Sequence, residues 1–332
     1  MSGQVTLALQ SDKTTSEYAS LAVAAEAYGF DGVSVFNDLG YQPALFPLLV
    51  MAAHTERIRL GPACLNPFLS HPVEIAGQVA ALDIASQGRA YLGLARGTWL
   101  DRVGVAQERP LRTLREAVEV VALLLRAQGK EYTGEVFSIA EGTGLQYRPL
   151  RDRVGVLLGV WGPRGAALAA ECADEVKLGG CANPDMVRLM RGWLAKECAR
   201  VGRPEDAVGV VAGAVTMVDE DRVAARRHAR TEVAMYVDVV AELDRTVDVD
   251  PRLAADLREL VAVRAYEEAG RLIPDDLLDR FCFAGTPADV AARAAELFEA
   301  GASRIEFGTP HGATDRHGVD LLGSQVLPEL RR

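Results

Sequence analysis

Residues 58–74 read IRLGPACLNPFLSHPVE, and within them a short apolar strand pattern passes into a proline-rich loop and then into a helix start. Proline lacks an amide N–H and has a fixed φ, so the prolines at positions 62, 67 and 72 cannot continue a sheet ladder beyond residue 60. The segment 70–74, with a proline among its first residues, is typical of a helix N-terminus. The stretch therefore predicts one strand–loop–helix unit.

The same alternation recurs along the chain. Short apolar, β-branched runs stand at residues 5–10, 32–36, 58–60, 90–95, 154–160, 175–178, 208–218 and 304–307. Continuous apolar strands suit a parallel sheet whose outer face is covered by helices. Capping-box patterns at Thr14–Glu17 and Thr286–Asp289 predict helix starts between these strands.

Eight strand–helix units predict a (β/α)₈ TIM barrel, a fold that typically takes about 250 residues. The remaining length of the 332-residue chain falls into two insertions. One lies at about 130–153, where residues 132–137 resemble a short hairpin, and the other is the helical stretch 222–280. We therefore predict one barrel domain over residues 1–332. A doubly wound sheet is less favoured because no Gly-x-Gly-x-x-Gly follows any predicted strand.

The composition narrows the classes of function. Hydrophobic residues make up 49% of the chain and charged residues 25%, which is typical of a globular protein with a large core. The formal net charge of −10 argues against a nucleic-acid partner. Five scattered cysteines, no long apolar run and no targeting pattern predict a cytoplasmic protein without a membrane partner. The motifs of metal hydrolases, serine-triad enzymes and P-loop NTPases are missing, so we expect no metal site.

The reacting groups of a TIM barrel lie at the C-terminal ends of its strands and in the loops that follow. In this chain those positions are polar, aromatic or glycine, in the segments Gln10–Asp12, Asn37–Asp38, Arg96–Trp99, Trp161–Gly162, Gly179–Asn183 and 308–312. The segment Gly179–Asn183 leads into a helix N-terminus, so it suits a bound phosphate or, alternatively, a tight turn with an Asn cap. Arg96 requires an anionic ligand or an ion pair with a strand-end carboxylate such as Asp38.

Several segments follow one another in the order of a known family. The set 57–62, 66–67, 71–72, 82–83 and 88–94, continued by 161–163, 173–180 and 308–312, resembles the bacterial luciferase-like monooxygenase superfamily over nearly the whole chain. The branch that it resembles most is that of the coenzyme F420-dependent methylenetetrahydromethanopterin reductases. This resemblance implies hydride transfer between the deazaflavin C5 and a C=N, C=C or C=O bond of a small substrate. It also implies a homodimer, to which the apolar helix 43–53 would contribute.

The resemblance further assigns roles to residues. It implies a cis peptide between Ala63 and Cys64, in a bulge that supports one face of the flavin ring; a loop with all peptides trans, and Cys64 as a core residue, is the alternative from the residues alone. The other implied cofactor-binding positions are Asn37, Asp38, Leu65, Asn66, Arg96, Gly97, Thr98, Trp161, Gly162, Gly179, Gly180, Cys181, Ala182 and Asn183. We expect Gln10, Trp99 and His311 to line the substrate pocket.

The chain departs from this branch at two strand ends. Asn37-Asp38 stands where an Asp-His pair is usual, and Thr98 stands where related enzymes often have an acid. A family histidine or glutamate cannot be carried over to these positions, so we predict proton handling by Asp38 first and by Asp12 second. Because bacterial luciferase also has an Arg-Gly after strand four, an FMN-dependent monooxygenase using O₂ is the alternative. A barrel that binds flavin without catalysis is a third possibility.

Overall fold

The computed structural model describes residues 3–332, and its largest sheet is an eight-stranded parallel barrel with one additional strand. The strands are β1 (Gln4–Leu9), β2 (Gly32–Val35), β3 (Arg59–Pro62), β4 (Tyr91–Ala95), β5 (Tyr132–Thr133), β6 (Ser138–Ile139), β7 (Gly155–Gly159), β8 (Glu175–Gly179), β9 (Gly209–Val218), β10 (Cys282–Gly285) and β11 (Arg304–His311). The barrel strands pair in the order β3–β2–β1–β11–β9–β8–β7–β4. Parallel bridges from Leu60 to Ala90 and from Leu65 to Leu94 join β3 to β4. Each predicted run forms one barrel strand, and the predicted TIM barrel is confirmed.

Helices cover the outer face of this sheet. They are α1 (Thr15–Tyr28), α2 (Leu45–His54), α3 (Pro72–Ala85), α4 (Pro110–Leu125), α5 (Gly162–Cys172), α6 (Pro184–Arg200), α7 (Arg222–Ala234), α8 (Val237–Ala241), α9 (Pro251–Ala262), α10 (Tyr266–Leu272), α11 (Asp275–Phe281), α12 (Pro287–Glu299), α13 (Asp315–Leu321) and α14 (Leu327–Leu330). Thr14 and Thr286 form the two predicted capping boxes, and α3 begins at Pro72 as its sequence predicts. No helix of the described residues is long and apolar enough to cross a membrane.

Additional elements occupy both predicted insertions. Strands β5 and β6 form an antiparallel hairpin at the place where the sequence predicts one. Helices α7 to α11 pack around a second cluster of buried apolar side chains, which includes Leu257, Leu278 and Phe281. Strand β10 is not among the predicted strands, because its four residues are too few to show a pattern. It pairs in parallel with the distal half of β9 only, from Val215 to Val218.

The pairing register determines which side chains point into the barrel. Residues that pair directly on neighbouring parallel strands point to the same face, and the buried charges of Lys177, Arg304 and Glu306 mark the inner one. Along both β8 and β11 the inward positions change from charged residues to glycine towards the C-terminal end: Glu175, Lys177 and Gly179 on β8, and Arg304, Glu306 and Gly308 on β11. Charged layers therefore fill the barrel below its C-terminal mouth.

Candidate active site

The C-terminal mouth of the barrel is lined by backbone and by very small side chains. Alanine or glycine stands at an inward position near the C-terminal end of six of the eight strands, at Ala8, Ala95, Gly159, Gly179, Gly213 and Gly308, and on β9 Val215 pairs with Gly308 beyond Gly213. Glycine in a strand often marks a place where a ligand approaches the backbone closely. The arrangement keeps large side chains away from these backbone positions.

One wall of the mouth is the loop after β3. The peptide bond between Ala63 and Cys64 is cis, at the position for which the family resemblance implies a cis peptide. The next residue, Leu65, donates its N–H to the carbonyl oxygen of Gly93 at 2.9 Å. A Cβ on Gly93 would lie 2.0 Å from the carbonyl oxygen of Pro62, so only glycine allows this close approach. The loop is thereby fixed against β4.

Asn66 joins this wall to the loop after β4. Its Nδ2 donates to the carbonyl oxygen of Arg96 at 3.0 Å, and its Oδ1 accepts the N–H of Phe68 at 2.8 Å. A Cβ on Gly97 would lie 2.0 Å from the Asn66 Nδ2, and Gly97 also has a φ of +77°. Asn66 and Gly97, which are both predicted to bind the cofactor, therefore fix the backbone of this wall. The side-chain amide of Asn66 is already engaged in these two hydrogen bonds.

The floor beneath the mouth holds a buried ion pair. Lys177 and Glu306 are in direct hydrogen-bond contact and are 5% and 1% exposed. Ser34 Oγ donates to the second Glu306 carboxylate oxygen at 2.6 Å, and the Lys177 ammonium lies 4.9 Å from the centroid of the Phe36 ring. Burial raises the pKa of Glu306, but the charges of Lys177 and Arg304 and the hydrogen bonds from Lys177 and Ser34 outweigh it, so this pKa lies below its ordinary value. Glu306 is thus held as a carboxylate.

Cys64 borders this floor beside β4 and β7. Its Sγ is 3.4 Å from the position that a Cβ on Gly93 would take and 3.6 Å from that of a Cβ on Gly159. Burial raises the pKa of the Cys64 thiol to about 11. The thiol therefore stays protonated at neutral pH and acts as a small packing group, because the thiolate is the reactive form of cysteine.

At the ends of β1 and β2 the structure brings together two predicted residues. Gln10 Nε2 donates to Asp38 Oδ2 at 2.9 Å, and the Asp38 carboxylate is exposed to solvent. Asp12 instead forms an ion pair with Lys13 at 2.7 Å. Asn37 Oδ1 accepts a backbone N–H at the start of α2, at 3.0 Å. Of the two carboxylates predicted to handle protons, Asp38 is the one without a cationic partner among the described residues.

The loop after β4 is open to solvent. Within residues 3–332 the guanidinium of Arg96 makes neither a hydrogen bond nor an ion pair, and the alternative pairing with Asp38 is not formed. Thr98 and Trp99 are also exposed, and the guanidinium of Arg102 lies 5.2 Å from the Trp99 ring. Arg96 is therefore available to an anionic ligand, and Trp99 offers an aromatic surface beside it.

The loops after β7 and β8 divide into an open part and a buried part. Trp161, Gly162, Gly179 and Gly180 are half-buried, and a Cβ on Gly179 would have no neighbour closer than the Lys177 side chain, at 4.0 Å. These four residues retain accessible surface for a ligand.

The next three residues correct the prediction of a phosphate site over Gly179–Asn183. Cys181 donates its N–H to the Gly213 carbonyl at 3.1 Å and Ala182 to the Arg280 carbonyl at 2.9 Å, so neither N–H is free for an anion. Asn183 is fully buried, where it caps α6 and donates to Asp244 at 2.8 Å. Even the Gly180 N–H is used, on the Gly213 carbonyl at 2.7 Å. The tight turn with an Asn cap is what the chain forms.

His311 is not in the substrate pocket, contrary to the prediction. It is 0% exposed, and its ring nitrogens lie 2.8 Å from an Asp315 carboxylate oxygen and 3.1 Å from the Phe307 carbonyl oxygen. Burial raises the pKa of Asp315, but the hydrogen bond and charge of His311 and the charge of Lys13 outweigh it and lower the pKa overall. His311 therefore holds α13 against β11.

The floor residues are the part of the site that the sequence reading missed. A signal for them exists, because Glu175 and Lys177 on one strand and Arg304 and Glu306 on another are charged residues two positions apart within apolar runs. Since alternate strand residues share a face, each pair must point into the same environment. Opposite charges on two such strands indicate interior ion pairs.

The chain is similar over most of its length to known proteins. The model of the luciferase-like monooxygenase family matches residues 2–304. A 5,10-methylenetetrahydromethanopterin reductase from Archaeoglobus fulgidus is 31% identical, with 92% of this chain and 93% of that protein covered. An F420-dependent glucose-6-phosphate dehydrogenase from Nakamurella multipartita is 27% identical, over 95% and 93%. Among solved structures, a coenzyme F420-dependent tetrahydromethanopterin reductase from Methanopyrus kandleri superposes with a TM-score of 0.90 at 25% identity, over 99% and 100% of the two chains.

Proposed function

The chain belongs to the luciferase-like monooxygenase family, and on that premise we propose that it is an F420-dependent oxidoreductase. It transfers a hydride between C5 of the deazaflavin and a C=N, C=C or C=O bond of a small organic substrate. The observation that carries the proposal is the full-length match to F420-dependent reductases and dehydrogenases in both sequence and structure. These relatives favour F420 over FMN and a redox enzyme over a non-catalytic barrel.

The residues at the mouth fit such a cofactor. A flat tricyclic ring requires a slot without large side chains, and the alanine and glycine positions of six strands provide one. Ala63, Cys64, Leu65 and Asn66 would form the wall along one face of the ring. The unpaired guanidinium of Arg96 would meet an anionic part of the cofactor, with Gly97, Thr98, Trp161, Gly162, Gly179 and Gly180 around it.

Bound F420 supplies the hydride chemistry, and the protein supplies binding, orientation and electrostatics. Asp38 is the candidate for moving a proton at the substrate, because it is exposed at the mouth and is oriented by Gln10 at 2.9 Å. Asp12 is second, since the Lys13 ammonium already neutralises it at 2.7 Å. We expect Asp38→Asn to lower kcat with F420 affinity unchanged, and Asp12→Asn to have the smaller effect.

Substrate recognition falls to side chains further from the floor. Gln10 and Trp99 stand at the open side of the mouth, and Trp161 contacts both the main core and the cluster of the second insertion. Because α7 to α11 fill that insertion, their shape would select the substrate. Two of the relatives are named for different substrates, 5,10-methylenetetrahydromethanopterin and glucose-6-phosphate.

The proposal includes a homodimer in the cytoplasm. The exposed ring of Phe46 on α2, together with nearby Tyr41, gives an apolar surface that suits an interface between two copies. All five cysteines are free thiols, which suits a reducing compartment. Light scattering of the protein as it elutes from a size-exclusion column would measure its oligomeric state.

Two binding titrations test the cofactor. Purified apo-protein is titrated with oxidised F420 and, separately, with FMN, and fluorescence reports binding. We expect F420 to bind at least about tenfold more tightly than FMN, a difference of about 1.4 kcal/mol. Tighter binding of FMN would overturn the proposal in favour of an oxygenase, and binding of neither would favour a barrel without catalysis.

A second experiment tests the reaction itself. Reduced F420 is incubated anaerobically with the enzyme and with imine, enone or carbonyl compounds, and the return of the oxidised chromophore is followed. Turnover that needs both the enzyme and an acceptor, and that continues without O₂, is the expected result. Turnover that needs O₂ would refute a hydride-transfer enzyme.

A further inference from the structure

The ammonium of Lys177 has unused hydrogen-bonding capacity. A lysine ammonium has three N–H donors. Within the described residues Lys177 donates to one acceptor, Glu306, and the Phe36 ring covers a second side with its centroid at 4.9 Å. Lys177 is 5% exposed, so water offers little compensation. A buried cation with a spare donor is costly unless a ligand completes it.

The spare donor lies next to the mouth. The Lys177 Cε is 3.3 Å from the position of a Cβ on Gly213 and 4.0 Å from that of a Cβ on Gly179. Both glycines belong to the small-residue positions of the mouth, so neither places a side chain beside that of Lys177 there. The side-chain exposure that remains is 7% for Lys177 and 1% for Glu306, so the lysine is the member of the pair that reaches accessible surface.

We infer that Lys177 contacts the bound cofactor: its ammonium donates a hydrogen bond to an oxygen on the deazaflavin ring and stabilises that ring as an anion. The inference rests on the proposed function and deepens it. None of the residues that the family resemblance assigns to the cofactor places a charge on the floor of the barrel. Lys177 supplies there the positive charge that the mouth otherwise lacks on this side.

The surrounding groups leave Lys177 as the cation of the floor nearest the mouth, whereas Arg96 lies in the exposed loop after β4. Glu306 balances its charge from β11, and below that pair Arg304 and Glu175 form a second ion pair at 3.1 Å. Cys64 and Tyr91 remain neutral near pH 7, because burial raises their pKa values to about 11 and about 12. Neither of these two side chains beside the floor therefore ionises near neutral pH.

The test compares three variants with the wild-type enzyme. Glu306→Gln retains the ammonium, and the double variant Lys177→Met/Glu306→Gln removes it without leaving a buried unpaired carboxylate. Lys196→Met is the matched control, since Lys196 is an exposed lysine on α6. Fluorescence titration gives the F420 affinity, and the absorbance of bound oxidised F420 against pH gives the ionisation midpoint of its ring hydroxyl. Circular dichroism verifies that each variant is folded.

We expect the ring to ionise at a lower pH on the wild-type enzyme than in free solution, because a nearby cation favours the anion. Glu306→Gln and Lys196→Met should retain that shift. The double variant should lose it and bind F420 about 10- to 100-fold more weakly, as for a lost hydrogen bond to a charged group.

Three results would overturn the inference. One is an unchanged affinity and ionisation midpoint in the folded double variant. Another is an equal loss in Glu306→Gln and the double variant, which would indicate a structural role of the pair. The third is a change in substrate KM alone, which would place the donor on the substrate. Failure of the wild-type enzyme to bind F420 would instead refute the proposed function, and this inference with it.

Discussion

Replacing Lys177, one member of the buried Lys177–Glu306 ion pair, is expected to lower the free energy of unfolding. Lys177→Met removes the ion-pair partner of a carboxylate that is 1% exposed, and among the described residues the Ser34 hydroxyl, at 2.6 Å, and the charge of Arg304 remain to stabilise it. Breaking a buried pair by deleting one partner costs about 3–5 kcal/mol. Because Ser34 still donates, we expect about 3 kcal/mol at pH 8, a large part of the 5–15 kcal/mol typical of a folded domain.

The cost should depend on pH with a definite sign. In the wild-type protein the pKa of Glu306 is lowered from 4.5, so its contribution to stability is present above pH 4.5 and is lost as the pH falls through the folded-state pKa. Without Lys177, the charge of Arg304 and the hydrogen bond from Ser34 are left to oppose the burial of Glu306, and we expect burial to outweigh them and to raise the folded-state pKa above 4.5. The variant then gains stability as the pH falls towards 4.5. Its deficit relative to wild type should therefore be smaller at pH 5 than at pH 8.

Urea denaturation at pH 5 and pH 8, followed by tryptophan fluorescence, measures both quantities. Lys196→Met controls for the loss of one positive charge, and as an exposed change it should stay within about 0.5 kcal/mol of wild type. Lys177→Met/Glu306→Gln should recover most of the loss, because no buried charge is left without a partner. A deficit in Lys177→Met below about 1 kcal/mol, or an equal deficit at both pH values, would show that water solvates Glu306 and that the burial reasoning is wrong.

Further predictions concern the wall and the mouth. Asn66→Ala should lower the free energy of unfolding by about 2 kcal/mol, since it removes two hydrogen bonds of a buried side chain, whereas Gln146→Ala, at an exposed position, should cost under about 0.5 kcal/mol; urea denaturation compares them, and equal costs would contradict the wall geometry. Gly93→Ala should destabilise by about 1–3 kcal/mol or more through its clash with a carbonyl oxygen, while Gly179→Ala should leave the melting temperature unchanged and weaken F420 binding in titration; the reverse pattern would place the ligand elsewhere. Iodoacetamide should label Cys64 slowly at pH 8, since burial raises its pKa from 9.0 to about 11 and leaves about 100-fold less thiolate, as peptide mass spectrometry can measure; rapid labelling of the folded protein would refute this.

The fold was predictable because local signals agreed with one another. Capping boxes at Thr14 and Thr286, a proline-bounded turn after β3 and eight apolar runs all indicate alternating strands and helices, and the structure has them in those places. Strand β10 escaped because four residues show no period, and its pairing with β9 depends on where α7 to α11 place it. That placement is tertiary and has no local signature.

The sequence predicted which loops form the candidate site, but not which of their polar groups are free to bind a ligand. Sequence position identifies strand ends, so the wall around Cys64 and the exposed Asp38 were expected at the mouth. It does not say whether an N–H is free, and the N–H groups of Cys181 and Ala182 are spent on carbonyls that come from β9 and from the end of α11. His311 was misplaced for a similar reason, since only the packing of α13 reveals that its ring is enclosed.

The charged side chains inside the barrel are candidates for function although they do not lie at the strand ends. Lys177 lies two residues before Gly179, so the residue at the strand end has no side chain and the one below it reaches upward in its place. The same holds on β11, where Gly308 is followed inward by Glu306. Because glycine and alanine form the mouth, the nearest polar side chains inside the barrel are those of the next layer down. In this protein that layer holds Lys177, a buried cation, whereas Arg96, the cation at the end of β4, is exposed.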